Sequence, residues 1–267
     1  MRDRYADMFS CCADEERGAF VPFVVLEDPD RETSDRILDA LVEGGADALE
    51  LGIPHSDPIA DGPVIQRAGA RALQAGATVA SCLDQLAGFR QRHPDIPVGI
   101  LTYANLAVAR DIKAFYRDLA GAGVDSALLA DVPIAEAEPF VDAARDAGIH
   151  PILIAPPNAN DTTLEAVARL SSGYTYCVAR AGVTGKRDRL GDGAFALFSK
   201  LKELDAPPSL LGFGISTPQH VHQAFNAGAA GAISGSAVVT TIERCLDQKE
   251  DLTDEVRAFV REMSSAS

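Results

Sequence analysis

The chain has 267 residues, 47% hydrophobic and 24% charged, an ordinary globular balance with apolar mass enough for a sizeable core. A formal net charge of -15 with no long basic run excludes nucleic acid and anionic membrane as partners. Five scattered cysteines without a CxxC pair, an N-terminus without signal-peptide order and no run of about eighteen apolar residues predict a reduced, cytoplasmic protein with no metal site.

Residues 1–18 are polar with apolar positions at Tyr5, Met8 and Phe9, and predict a short amphipathic helix across one end of the domain. A buried strand follows over 19–26, then helical spacing over 34–42 that Gly44-Gly45 closes. The second strand, 48–53, reads ALELGI and carries a carboxylate, Glu50. It opens into PHSDPIADGP, a stretch of turn chemistry that holds Asp57 and Asp61. Helices are predicted over 64–73 and 79–92, the second capped by Thr78. The strand–helix unit then recurs, with strands at 97–103, 126–131, 151–155, 174–179, 209–213 and 230–234. Helices are predicted at 112–120, 136–146, 162–170, 194–204, 219–226 and 252–263.

Eight short apolar strands alternating with helices demand a parallel sheet with right-handed crossovers. Over about 250 residues such units close most simply into a (β/α)8 TIM barrel. The predicted fold is therefore α/β, a single barrel domain over 1–267 with an extra N-terminal helix. An open doubly wound sheet is the rival. It usually carries a glycine-rich loop after the first strand, where this chain has Leu26-Glu27-Asp28-Pro29.

In such a barrel the site lies at the C-terminal mouth, built from the loops after the strands. Glu50 late in its strand and Asp61 just beyond it both belong there, as do Tyr103, Asp131, Tyr176 and Arg180. Taken alone, a strand glutamate is more often outward in a salt bridge, since buried acids are rare. If Glu50 points inward among leucines, lost hydration raises its pKa until it can both give and take a proton, while Asp61 on a polar loop stays ionised. Two acids in unlike surroundings are how one site runs acid and base chemistry together.

Glycine-rich points follow strands six, seven and eight: AGVTG at 181–185, GFGIS at 212–216 and GAISGS at 231–236. Loops after strands seven and eight, with a short helix start behind Gly235-Ser236, form a recurring phosphate cradle in this fold. No lysine or arginine lies in those cradle segments, so amides and the helix dipole must carry the anion. Lys186-Arg-Asp-Arg189 reads as a solvated charged loop, and the five histidines show no ligand spacing.

Taken in order, ALELGIPxSDPIADGPVIQ, YANL (103–106), ADVP (130–133), APPNA (155–159), GYTY (173–176), GVTG (182–185), GFGIS and GAISGSA resemble the tryptophan synthase alpha chain family over essentially the whole chain. The resemblance implies cofactor-free retro-aldol cleavage of indole-3-glycerol phosphate to indole and glyceraldehyde 3-phosphate. It implies that Glu50 and Asp61 are catalytic and that Tyr176 supports Glu50. It implies an indole slot at Phe23, Leu101, Ile154 and Phe213, and phosphate contacts at Gly185, Gly214, Gly235 and Ser236. It also implies a pyridoxal-phosphate beta chain docked at the mouth in an alpha2-beta2 assembly, with Ser56-Asp57-Pro58 and the loop at Thr184 coupling the two sites. The chain departs from the family at Glu27, commonly glycine, at His55, usually phenylalanine, and in a more charged Thr184-Gly185-Lys186-Arg187. Two further readings stand beside the alpha subunit: a stand-alone lyase on the same substrate, and a silent regulatory subunit, against which the intact Glu50 and Asp61 speak.

Overall fold

The computed structural model describes residues 2–178, 192–212 and 214–266. Nine parallel strand segments are described: β1 (Ala19–Val25), β2 (Leu49–Gly52), β3 (Val98–Thr102), β4 (Ser126–Leu129), β5 (His150–Pro151), β6 (Ile154–Ala155), β7 (Thr175–Val178), β8 (Ser209–Gly212) and β9 (Gly231–Ser234). They run side by side in the order β5-β4-β3-β2-β1-β9-β8-β7-β6. β5 and β6 are the two ends of the stretch predicted as one strand. Its amide at Ile152 still bonds the Ala127 carbonyl (3.0 Å), and its Leu153 carbonyl accepts from Tyr176 (3.1 Å). The stretch thus hands its pairing from β4 to β7 at mid-length, where Pro151 has no N–H to give, and the curled sheet closes as a barrel.

Strand alternation sorts the apolar residues into two cores. Phe20, Val24, Leu49, Leu51 and Ile100 face outward to the helices. Val21, Phe23, Leu128, Ile152, Leu210 and Ile233 fill the barrel. The predicted N-terminal helix is α1 (Arg4–Asp14), and its Tyr5, Met8 and Cys12 belong to the inner core, so α1 stoppers the N-terminal end of the barrel. Below it, Asp125 takes Arg4 and Arg90 at 2.7 Å each and the Val98 amide at 2.8 Å.

At the mouth, α2 (Arg31–Glu43) follows β1, and α3 (Pro63–Gln74) starts on proline at its first position, where the missing N–H costs nothing. Thr78 caps α4 (Val79–Arg92) in a reciprocal pair with Ser81. A five-residue helix, α5 (Ala104–Val108), follows β3, before α6 (Ile112–Gly121). The circuit continues through α7 (Glu138–Asp146), α8 (Asp161–Leu170), α9 (Asp192–Glu203) and α10 (Pro218–Asn226). The helix start expected behind Gly235 grows into α11 (Ser236–Gln248), thirteen residues long, ahead of α12 (Leu252–Ser264).

Candidate active site

Period-two alternation in β2 sends Leu49 and Leu51 outward and leaves Glu50 facing the barrel, 2% exposed, on the wall of a cavity of about 440 Å³. The inward reading of Glu50 is therefore the one the structure bears. Its Oε1 accepts a hydrogen bond of 2.8 Å from the Tyr174 hydroxyl, and its Oε2 has no hydrogen-bond partner among the described residues. Burial pushes the Glu50 carboxyl up to about 7, against a smaller downward pull from Tyr174. The supporting hydroxyl is thus Tyr174, not the expected Tyr176, which lines the cavity two residues further on the same face. Strand alternation puts Tyr174 and Tyr176 on one face but does not choose between them.

Asp61 closes the loop after β2. The Tyr103 hydroxyl donates to Asp61 Oδ2 (2.9 Å) while accepting from the Ala60 amide (3.1 Å), and Gln66 Nε2 donates to the Asp61 carbonyl (2.8 Å). Asp61 is half-buried: burial pushes its carboxyl up, and the Tyr103 hydrogen bond pulls it back. Tyr103 from the next strand end packs its hydroxyl against this residue. Asp131 anchors the neighbouring loop, accepting from the Ala104 amide at 2.8 Å.

Phe23, Leu101, Ile154 and Tyr176 line the same cavity as the two acids. Leu128 and Ile233 also belong to its apolar wall. The sequence reading missed them, although inward alternation along β4 and β9 marks both. Gly212 leaves the room that Tyr176 fills, since a Cβ there would lie 2.2 Å from the tyrosine ring tip. The far end is formed by Gly214, Ser216, Gly235 and Ser236. Gly214 has φ +81°, a conformation that favours glycine, and Gly235 heads α11 with no side-chain cap. Gly235, Ser236 and Ala237 at the start of α11 line the cavity, and a helix start is where backbone amides bind anions. Ser234 Oγ donates to the Ile215 carbonyl (2.8 Å) and ties the two cradle loops together. Thr184, Gly185 and Phe213, like Arg180 and the charged run 186–189, lie outside the described residues.

Among the described residues, the side-chain donor atoms of Cys245, Glu250 and Glu255 lie within 4.8 Å of one another. They lie off the cavity wall, and both glutamates pair with Arg244. No described helix is long and apolar enough to cross a membrane.

The family model for the tryptophan synthase alpha chain matches residues 9–267. The chain belongs to the tryptophan synthase alpha chain family. The alpha chain of Klebsiella pneumoniae subsp. pneumoniae is 53% identical over 265 residues, covering 99% of this chain and 98% of its own length. That of Shewanella amazonensis is 54% identical over 265 residues, covering 99% and 100%. Among solved structures, the alpha subunit from Legionella pneumophila superposes with a TM-score of 0.90 at 27% identity, over 100% of this chain and 98% of that one. A chain from the Pyrococcus furiosus tryptophan synthase a2b2 complex does so with a TM-score of 0.84 at 33% identity, over 92% and 98%. The barrel is that of the alpha chains, and the chain is a lyase of tryptophan biosynthesis.

Proposed function

We propose that the chain cleaves indole-3-glycerol phosphate, with Glu50 carrying the proton and Asp61 steadying the indole ring. What supports this reading is one cavity that holds a carboxyl poised near neutrality, a second carboxyl, apolar walls and an amide-lined end. Phe23, Leu101, Ile154 and Tyr176 clasp the indole, and the amides about Gly214, Gly235 and Ser236 take the phosphate. Phe213, Thr184 and Gly185 belong to the same two subsites in this reading.

Protonated Glu50 gives its proton to indole C3, and ionised Asp61, accepting from the ring N–H, stabilises the positive indoleninium so formed. Glu50, now ionised, takes the proton of the neighbouring side-chain hydroxyl. The carbon–carbon bond to C3 breaks, its electrons restore the aromatic ring, and the new carbonyl leaves as glyceraldehyde 3-phosphate. Glu50 ends protonated, so the cycle closes without outside acid or base.

The whole chain acts in this reading as one cytoplasmic barrel unit whose mouth docks a beta chain, as in the a2b2 assembly named for the Pyrococcus relative. Indole release by the purified chain, with and without a beta chain, tests it. A slow reaction accelerated by the beta chain is expected; no indole under either condition would sink the catalytic assignment. Fast turnover indifferent to the beta chain would leave a stand-alone lyase.

The free enzyme needs Glu50 protonated, so kcat/KM should fall as pH rises through about 7. Tyr174 favours the ionised form through its hydrogen bond. Tyr174→Phe is therefore expected to move that alkaline limb to higher pH, which a pH–rate profile reads directly. A limb that stays in place would detach it from Glu50.

A further inference from the structure

The loop between β2 and α3 carries Asp61 at its far end, yet its tip touches little: Ser56, Asp57, Ile59 and Ala60 are exposed, Ile59 to 81%. Such a segment opens easily unless its base is tied. The tie is at His55. The Asp57 amide donates to His55 Nδ1 (3.0 Å), so that nitrogen is bare and the proton sits on Nε2. Nε2 donates in turn to Asn105 Oδ1 in the first turn of α5 (3.0 Å). α5 is itself anchored by the Ala104 amide on Asp131, at the end of β4. With both nitrogens engaged, the ring is held against Tyr103, centroids 4.8 Å apart and planes tilted by 39°. Tyr103 is the residue whose hydroxyl joins Ala60 to Asp61.

We propose that His55 is a positioning residue for Asp61: it clamps the loop base to α5 and holds the Tyr103 ring where its hydroxyl fixes the aspartate. The proposal rests on the role given to Asp61 above and adds the device that sets it. Because the clamp is built from this chain alone, the loop is ordered before any partner docks. A ring at position 55 supplies the face for Tyr103, while the imidazole nitrogens supply the tie to Asp57 and Asn105. The two contributions separate by substitution.

Amide hydrogen exchange of the full chain reads the clamp without catalysis. In His55→Ala the Asp57 and Ala60 amides should exchange about tenfold faster or more, with Leu51 in β2 unchanged. His55→Phe should keep Ala60 protected, because the ring stays on Tyr103, and lose protection at Asp57. Ala60 exchange unmoved in His55→Ala would overturn the proposal.

Kinetics supply the second arm. His55→Ala should lower kcat for indole release about tenfold while KM stays within about twofold, since Asp61 is displaced and the apolar walls are not. His55→Phe should recover most of that loss. In a Tyr103→Phe background, where the hydroxyl on Asp61 is already gone, His55→Ala should add less than about a further twofold. Losses that multiply would show that His55 acts elsewhere and overturn the proposal. Lost Ala60 protection with kcat intact would support the clamp and instead overturn the role given to Asp61.

Discussion

Glu50→Gln is expected to lower indole release by about three orders of magnitude, because in the proposed reaction one carboxyl performs both proton transfers and an amide performs neither. Glutamine matches the shape and keeps an oxygen for the Tyr174 hydroxyl, so the loss reads chemistry and not collapse. The same variant tests the buried acid thermodynamically. Glu50 is pushed up from 4.5 to about 7 on folding, so across that interval the folded chain binds a proton that the unfolded chain has lost. Stability from this group is full below about 4.5 and drains away as pH rises to about 7. Two pH units at about 1.4 kcal/mol each make the shift between pH 5 and 8 about 2–3 kcal/mol in favour of Glu50→Gln over the parent. Urea unfolding midpoints of both proteins at the two pH values check this. Parallel pH curves would mean that Glu50 is not held protonated, and the proton-carrier role would fall with them.

The acids and the cradle were legible because each is written in local chemistry: a carboxylate inside an apolar run, an aspartate in a turn, glycines where strands end. What was not legible depends on how strands are staggered. Tyr174 and Tyr176 share a face, and nothing local says which stands level with Glu50. In the folded chain Tyr176 aligns with Ile154 and Leu210, while Tyr174 sits one step lower, against Tyr5 of α1 (5.3 Å between rings). That lower layer is where Glu50 finds its hydroxyl. The length of α11 was hidden for a different reason. Val238, Val239, Thr240 and Thr241 are β-branched and weak helix formers. Burial of Val238, Val239 and Ile242 on one face overrides that preference, and both threonine hydroxyls turn back to carbonyls four residues earlier, 2.6 Å to Ser236 and 3.1 Å to Ala237. Glu27 was visible as a departure but its accommodation was not. It holds φ +60°, the left-handed region that favours glycine, and it is 5% exposed. Its carboxylate takes Arg31 (3.1 Å) and Ser81 (2.9 Å), and its amide donates to Ser34 and Gln85. Those four contacts oppose a backbone cost of order 1–3 kcal/mol.

Gly231→Ala is expected to be the most destabilising single-methyl change in the barrel seam. β9 pairs with β1 at Ala19↔Gly231 and with β8 at Leu210↔Gly231, so this residue sits between two strands. A Cβ there would lie 2.2 Å from the Ala19 carbonyl oxygen, 2.7 Å from its nitrogen and 2.9 Å from its carbon. Every one of those atoms is backbone, fixed by pairing, so no side chain can swing aside. Relief requires β1 to retreat from β9, which breaks the seam and moves Phe23, the neighbour of Gly235 in the cavity. A collision with paired backbone exceeds the ordinary overpacking cost of about 1–3 kcal/mol, and a loss of about 4 kcal/mol or more is expected. Against a total of about 5–15 kcal/mol for a domain, that leaves the variant largely unfolded or sharply lowered in its urea midpoint. Gly235→Ala is the control. Its added Cβ would approach the Phe23 ring only to 3.4 Å, an ordinary contact, so its midpoint should stay near the parent value. Equal midpoints for the two variants would mean that the seam yields more readily than paired backbone should. The contrast separates two kinds of glycine in one motif: Gly231 lets two strands meet, and Gly235 heads α11 on the cavity wall.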